Sequence, residues 1–215
     1  MKGLVSRHER RKLRTRRKLL EAARRVIGQR GYDDTSVLDI TEAADVSKGT
    51  FYLHFKDKED LTRTLIMQGF EELTTKLDEL IGAATPDAAI PNMERTLRVV
   101  FDYAAENRDL FRIMLGRQAT AELNMMAFTH FSQTVEKTIM RISDSGGPLP
   151  EYPPELLAQF IAGAGVRLGL WWVEDDHGLS PADIAHAMYT LLTQGVLAGA
   201  PASAPAPAPS DDVTE

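Results

Sequence analysis

The residues with the clearest chemical potential in this 215-residue chain lie between Ser47 and Phe55. Ser47 is suited to cap a short helix that begins at Lys48, and Gly49 leaves the first turn of that helix without a side chain. A helix amino terminus presents unpaired N–H groups and a partial positive charge, and both suit phosphate. Lys48 and Tyr52 would lie on its outward face, where they could reach beyond the backbone of a nucleic acid to the base edges.

Basic residues concentrate at the amino terminus. Residues 1–30 carry twelve Lys and Arg against two Glu, a net charge of +10, whereas the whole chain carries −6. One end therefore suits a polyanion, and the acidic remainder repels it. A solvated arm remains an alternative for Lys2 to Lys12. For Arg14 to Lys18 we favour DNA contact. Cations in the predicted first turn of the first helix are unfavourable by ~0.3–1 kcal/mol each, because they oppose the helix dipole, and a nearby phosphate backbone would explain their presence.

The elements that must position these groups form a predicted helix-turn-helix. Ser36 can cap a first short helix, with Asp39 three residues later, and Asp45 stands in the turn before Ser47. Two short helices joined by a three- or four-residue turn are typical of this motif. In the second helix, Phe51 and the later Phe55 lie 40° apart and should face the small core.

The rest of the chain shows helical periodicity and no convincing strand. A capping-box spacing at Asp57 and Asp60 opens a segment of 25 residues, which as a helix would span roughly 37 Å and could join two domains. The pattern predicts nine helices, the last five near 92–107, 109–116, 119–142, 155–176 and 181–199. The predicted units are a basic disordered arm (1–14), a helix-turn-helix domain (15–56), a helical ligand-binding and dimerisation domain (57–200) and a disordered Pro/Ala-rich tail (201–215).

Two stretches carry a specific resemblance: AARRVIGQRGY from Ala22, and TSVLDITEAADVSKGTFYLHFKDKEDL from Thr35. With the residues around them, from Arg17 to Leu61, they resemble the DNA-binding domain of TetR-type regulators. The resemblance implies an all-α protein with an N-terminal helix-turn-helix domain and a C-terminal helical domain that binds a ligand and dimerises.

The resemblance also implies roles for single residues. Thr35 and Ser36 would contact phosphate, Lys58 would bind the DNA backbone, and His54 would be more often structural than base-reading. The DNA-binding residues predicted from charge and resemblance together are Arg16, Arg17, Thr35, Ser36, Ser47, Lys48, Gly49, Thr50, Tyr52, His54 and Lys58.

Two positions depart from this simple pattern. Asp45 replaces the glycine common in the turn, and Asp tolerates the left-handed conformation better than most residues. Gly28 inside the first helix costs roughly 0.5–1 kcal/mol relative to Ala, with no reason visible in the sequence.

The C-terminal half is rich in large, adaptable apolar side chains, which make a roomy hydrophobic pocket plausible. Each of them singly is better explained as core, but the resemblance implies a cavity bounded by the fourth to eighth helices. The predicted ligand-binding residues are Phe70, Phe101, Phe111, Met114, Met125, Phe128, Phe131 and Trp171. A lipid-like or aromatic effector fits this composition.

The last two long helices are predicted to form a two-fold, four-helix dimer interface. Small residues in 155–176, such as Ala158, Ala162 and Gly169, would permit close packing. The apolar face of 181–199 would include Ile184, Met188 and Leu191. A two-fold dimer presents two recognition helices to successive major grooves, and this predicts a palindromic operator. Ordinary packing within one subunit is the alternative.

The sequence argues against several other functions. Cysteine is absent, which excludes disulfides and thiolate chemistry, and the five histidines show no metal-ligand spacing. We expect no cofactor and no metal. Without an 18-residue apolar run or a signal sequence, we expect a cytoplasmic protein rather than a membrane protein.

Three hypotheses remain. The leading one is a repressor released from its operator by a small hydrophobic ligand. The alternative is a DNA-binding activator or architectural regulator whose C-terminal domain only dimerises. An enzyme is disfavoured because no catalytic constellation is visible.

Overall fold

The computed structural model describes residues 6–82, 89–116, 119–144, 152–175 and 177–195. Helices, without any strand, make up the regular structure of these ranges, which confirms the predicted all-α fold. The predicted tail at 201–215 lies outside the described residues. The nine helices described are α1 (Arg7–Arg30), α2 (Val37–Ala43), α3 (Lys48–Tyr52), α4 (Lys58–Gly82), α5 (Ala89–Glu106), α6 (Arg108–Leu115), α7 (Ala121–Asp144), α8 (Pro154–Glu174) and α9 (Pro181–Gln194).

Helix α1 begins earlier than the sequence suggested. Ser6 caps it in a full capping box, in which its hydroxyl accepts from Glu9 N while Glu9 Oε2 accepts from Ser6 N. Residues 7–14, predicted as part of a disordered arm, are therefore helical. Arg16 and Arg17 consequently lie in the third turn of α1 rather than in the first, so the dipole argument used for them does not apply to these positions.

Helices α1, α2 and α3 form a small domain around a shared apolar core. The residues that build it are fully or almost fully buried: Leu19, Ala23, Ile27, Ile40, Phe51 and Phe55. Asp45 has φ 53°, in the left-handed region, as its place in the turn between α2 and α3 requires. Its neighbour Val46 packs against the core from one side.

Helix α4 joins this domain to the C-terminal one. Asp57 Oδ1 accepts from Asp60 N, and the Asp60 carboxylate accepts from Lys56 N, so the start of the helix is firmly capped. Along α4, buried residues run from Leu61 to Leu77. The 25-residue helix matches the strut expected from the sequence.

Helix α6 lies where the two domains meet, in contact with α1, α4, α5, α7 and α8. A Cβ placed on Gly28 of α1 would lie 2.7 Å from Asp109 Cβ, and one placed on Gly69 of α4 would overlap Leu110 Cδ2. Both glycines thus let α6 approach closely. Tertiary packing supplies the reason for Gly28 that the sequence lacked.

The C-terminal domain surrounds α6. Helices α7 and α8 pack along one another, and α5 packs against α9. Helix α9 starts with Ser180 as its cap in a capping box with Asp183, followed by Pro181. It ends at Gln194, where Gly195 adopts φ 81°, and thus several residues before the predicted end at 199.

Candidate DNA-binding surface and effector site

Helix α3 presents one face to the core and the other to solvent. Ser47 Oγ accepts from Thr50 N at 3.1 Å and so caps the helix. Phe51 is fully buried, whereas Tyr52 is 58% exposed and Leu53 77% exposed. Two large, adjacent side chains are therefore exposed to solvent at the end of this short helix. Exposed apolar surface of this kind is typical of a site that contacts a partner.

The amino-terminal end of α3 is open. Lys48 and Gly49 are exposed, and a Cβ on Gly49 would meet only the Ser47 hydroxyl, at 3.8 Å. The backbone N–H groups here can approach a phosphate or groove edge. The structure thus brings Ser47, Lys48, Gly49, Thr50 and Tyr52 together on one small element, as predicted.

Cations of α1 flank the other end of α3. The Arg16 guanidinium lies 4.4 Å from the centre of the Phe55 ring, directly after the recognition helix. Burial, with further contributions from nearby Lys12 and Arg16, lowers the pKa of His54. Neutral His54 is half-buried, and its Nδ1 is enclosed without a hydrogen-bond partner, which agrees with a structural place for this ring.

Two residues expected to contact phosphate instead face the protein. Thr35 is 2% exposed, and its hydroxyl donates to Gly31 O at 2.7 Å. Lys58 Nζ donates to the carbonyl oxygens of Tyr32 and Thr35 and lies 4.0 Å from the centre of the Tyr32 ring. Burial lowers the pKa of Lys58, an effect that Asp33 and Asp34 oppose. Both side chains therefore stabilise the link between α1 and α2.

Ser36 remains on the surface at the start of α2. Its hydroxyl accepts from Asp39 N, and the Asp39 carboxylate accepts from Ser36 N. The Ser36 hydroxyl also donates to Asp39 Oδ2, and this hydrogen bond, followed by the one from Ser36 N and a smaller contribution from Arg30, lowers the pKa of Asp39. The exposed Ser36 is one edge of the surface that also includes α3.

Most of the predicted ligand-binding residues form one apolar cluster. Phe70, Phe101, Phe111 and Met114 are 2–4% exposed. Phe131 joins Phe70 and Phe111 through ring contacts of 5.2 and 6.5 Å. The aromatic cluster lies where α4, α6 and α7 meet.

Three of the predicted ligand-binding residues are not in this cluster. Met125 is 65% exposed, and Trp171 is 39% exposed and stacks on His177 at 3.7 Å. Phe128 is half-buried on the side of α7 that faces α8, 3.9 Å from where a Cβ on Gly163 would lie. These residues were predicted from their composition, but whether each side chain enters the cluster depends on the face of the helix on which it lies.

Polar atoms also lie within this apolar region. His130 stacks on Phe70 at 4.1 Å, and its Nε2 is buried without a partner in the structure. Burial, followed by Lys137, lowers the pKa of His130. On the opposite side of α7, about 200° from His130, Ser132 is 4% exposed, and its hydroxyl is likewise unpaired. An unpaired buried polar atom costs about 1–3 kcal/mol, and a bound molecule with a polar group would recover that cost.

A hydrogen-bonded chain connects the two domains. Arg24 of α1 donates to Asn107 Oδ1 at 2.8 Å, and Asn107 donates to Tyr103 O. The Tyr103 hydroxyl donates to Glu72 of α4 at 3.0 Å. Burial and the neighbouring Glu72 raise the pKa of Tyr103, so this hydroxyl keeps its proton. Sequence reasoning missed this set of residues, because they are far apart in the chain.

Nearby, a cleft of about 310 Å³ lies between the end of α1, α6 and the end of α8. Its lining includes Tyr32, Arg112 and Glu174. None of the predicted ligand-binding residues lines this cleft. Among the described residues, no group of His, Asp and Glu is arranged to hold a metal ion.

Helix α8 exposes an apolar stripe. Leu156 is 54% exposed and Phe160 64% exposed, and Trp171 continues the same face. The small residues that were predicted for the dimer interface, Ala158 and Ala162 among them, are buried inside the subunit instead.

By length and composition α8 could cross a membrane, with a mean hydropathy of 1.4 over its most apolar window, 28% of which is buried.

Two family models match this chain. The model described as bacterial regulatory proteins, tetR family, matches residues 19–65, and a model described as a transcriptional regulator C-terminal region matches residues 91–194. The first match contains α2, α3 and the start of α4, and the second extends from α5 to the end of α9.

Individual proteins are similar along most of their length. The HTH-type transcriptional repressor DhaR of Mycobacterium sp. (strain GP1) is 29% identical over 156 residues, which are 68% of this chain and 76% of DhaR. The solved structure of the fatty acid degradation regulator FadR from Bacillus halodurans superposes with a TM-score of 0.74 at 24% identity, covering 85% of this chain and 96% of that one. FadR from Bacillus subtilis, solved in complex with stearoyl-CoA, gives a TM-score of 0.71 at 24% identity, over 83% of this chain and 98% of that one.

Proposed function

The chain belongs to the TetR family of bacterial regulatory proteins, and on that premise we propose that it is a homodimeric repressor that leaves a palindromic operator when a hydrophobic molecule binds its C-terminal domain. One observation carries this proposal. Helix α3 hides Phe51 in the core while Lys48, Gly49 and Tyr52 are exposed at its tip. That division of faces suits insertion into a major groove. Such a regulator would act in the cytoplasm and would catalyse no reaction.

At the DNA, Lys48 and Tyr52 would reach the base edges. Ser36 and the N–H groups around Gly49 would bind phosphates, which position the helix without reading sequence. Arg17 is exposed and held near Glu21 at 3.5 Å, a pair weak enough to exchange for phosphate. Arg16 is held more firmly, because its guanidinium stacks on Phe55.

The dimer would form through the apolar stripe of α8 and the neighbouring face of α9. Leu156, Phe160 and Trp171 lie 4 and 11 residues apart, so they share one helix face. On α9, Leu191 is 48% exposed and Ala187 is exposed. Burial of this stripe in a two-fold interface would remove the exposed apolar surface of α8. To bind successive major grooves, the two copies of α3 would then have to lie about 34 Å apart, one turn of DNA.

The effector would enter the aromatic cluster between α4, α6 and α7. The complex of the similarly folded Bacillus subtilis FadR with stearoyl-CoA suggests a long acyl chain as a suitable ligand class. The apolar side chains around Phe70 and Phe111 suit such a chain. His130 would hydrogen-bond its polar part, because its buried Nε2 lacks a partner and its ring stacks on Phe70.

Binding would reach the DNA through α6. A chain inserted beside Phe111 would displace α6, and two contacts tie α6 and its start to α1: the Arg24–Asn107 hydrogen bond and the packing of Asp109 on Gly28. A ligand shifts this equilibrium only by its preference for the displaced state. A tenfold loss of operator affinity needs a coupling of about 1.4 kcal/mol.

The DNA-binding part is tested by selection of duplexes from a random pool with the full chain. We expect a palindromic consensus, and a loss of about 1–3 kcal/mol of binding in Tyr52→Ala together with relaxed sequence preference. Tyr152→Ala is the matched control, because Tyr152 is a tyrosine of similar exposure, 63%, in the other domain. If the chain enriches no sequence, the proposal is wrong.

The ligand-binding part of the proposal is tested by adding stearoyl-CoA to the complex of the protein with the selected duplex. Coenzyme A, which lacks the apolar chain, is the control. We expect stearoyl-CoA, but not coenzyme A, to raise the melting temperature and to release the DNA. Release by both compounds, or by neither, would contradict an apolar effector of this class.

A further inference from the structure

The first two turns of α1 carry an unusual concentration of positive charge. Five cations lie there, all of them exposed and none in an ion pair within the described part of the chain: Arg7, Arg10, Arg11, Lys12 and Arg14. The one acidic residue in this stretch, Glu9, is occupied by the capping box, because its carboxylate accepts from Ser6 N at 2.9 Å. Glu9 thus neutralises none of these cations by a direct ion pair, and the segment has a net charge of +4.

Packing does not explain why this segment is helical. Every residue from 7 to 14 is exposed, and even Leu13 is 60% exposed. In the first turn, Arg7 and Arg10 are unfavourable by ~0.3–1 kcal/mol each, since they oppose the helix dipole. A polyanion beside the segment would turn that unfavourable charge into binding energy.

The position of the segment identifies the polyanion. Lys12 and Arg16 are close enough to His54 to affect its ionisation, and Arg16 stacks on Phe55. His54 and Phe55 directly follow the recognition helix α3. A duplex held by α3 therefore has its backbone next to this part of α1, and residues 7–14 extend about 12 Å beyond it.

We propose that residues 7–14 of α1 form a second DNA-binding element, which contacts phosphates outside the base pairs that α3 reads. Arg7, Arg11 and Arg14 lie three and four residues apart, so they share one helix face and can follow a single backbone strand. Phosphate contacts of this kind add affinity without sequence preference. The inference rests on the proposed DNA-binding function of α3.

The test compares two duplexes that share the selected operator. The short one ends where the palindromic consensus ends, and the long one continues for six base pairs on each side. The variant, called the arm variant below, replaces Arg7, Arg11 and Arg14 with Gln, which keeps helix propensity. The control replaces Lys76, Arg95 and Lys137 with Gln; these cations are also exposed but lie in the C-terminal domain.

On the long duplex, we expect the arm variant to lose at least tenfold in affinity. The slope of log K against log salt should fall by about 5, since the dimer loses six arginines and each lost phosphate contact removes about 0.9. On the short duplex, wild type and arm variant should differ by less than threefold, and the control variant should match wild type on both. Equal affinity of arm variant and wild type on the long duplex would overturn the inference, as would an equal loss on both duplexes. Either result leaves the consensus and the Tyr52 effect intact, so failure of this inference is distinct from failure of the proposed function.

Discussion

Replacement of Gly28 by Ala tests how tightly α6 is held against α1. In the middle of a helix, Gly→Ala normally stabilises by roughly 0.5–1 kcal/mol. Here the new Cβ would lie 2.7 Å from Asp109 Cβ and 3.1 Å from Asp109 Cγ. Ordinary carbon contacts are about 3.5–4.0 Å, so α6 must shift by about 1 Å or the α1 backbone must yield.

The balance of these effects is a net loss. Overpacking of this kind costs typically 1–3 kcal/mol, because Asp109 Cβ is fixed to the α6 backbone and cannot rotate away. After subtraction of the helix-propensity gain, we expect Gly28→Ala to lower the free energy of unfolding by about 0.5–2 kcal/mol. For a chain of this size, that lowers the melting temperature by roughly 1–8 °C.

The measurement is urea unfolding followed by circular dichroism at one fixed subunit concentration, because dimer stability depends on concentration. The control is Gly169→Ala in α8, where the new Cβ would meet Phe101 Cε1 at an ordinary 3.9 Å. That variant should be as stable as wild type or more stable. If Gly28→Ala stabilises the protein as much as Gly169→Ala does, the close contact between α1 and α6 is not a constraint and the coupling route through α6 loses its support.

Three further predictions concern other parts of the molecule. Lys58→Met should lower the free energy of unfolding by about 1–3 kcal/mol, measured by urea unfolding, since it leaves two carbonyl oxygens without their donor; a variant of unchanged stability with a reduced salt slope of DNA binding would instead return Lys58 to the phosphate backbone. Phe160→Glu should convert the dimer to monomers in analytical ultracentrifugation, because it places a charge in the apolar stripe, whereas Glu155→Gln on the same helix should not; a dimeric Phe160→Glu would exclude this stripe as the interface. The lowered pKa of His130 means that the folded state takes up its proton less readily than the unfolded state, so stability should fall as pH drops below the ordinary value of 6.5, and His130→Gln should reduce that slope in thermal melts between pH 7 and 5; an unchanged slope would show that His130 is not a source of it.

The helix-turn-helix could be predicted in detail because its signals are local. The caps at Ser36 and Ser47 act on backbone groups three residues away, and Asp45 adopts the left-handed turn through its own φ. The 100° rotation per residue placed Phe51 inside and Tyr52 outside without knowledge of any other helix. The start of α1 was not predicted, because the capping box of Ser6 and Glu9 lies within a strongly basic stretch that also suits a solvated arm.

Side-chain roles that depend on helix crossings could not be predicted in this way. Thr35 and Lys58 have the polarity of phosphate-binding residues, yet both face inward, because the segment between α1 and α2 supplies carbonyl oxygens within their reach. Trp171 has the composition of a pocket residue but lies on the exposed side of α8. For Lys58 and Trp171 the outcome depends on how elements distant in the chain pack, whereas for Thr35 it depends on a carbonyl oxygen four residues away.

By itself, the sequence determined the all-α fold, the recognition helix and its division into a buried and an exposed face, because capping and helical periodicity operate within a few residues. Only the tertiary structure decided that Gly28 is needed, that Arg24 and Asn107 join the domains, and which face of α8 is left exposed. The physical reason is that helices pack in pairs: which side of a helix is buried is settled by the partner it crosses, and that partner is far away in the chain.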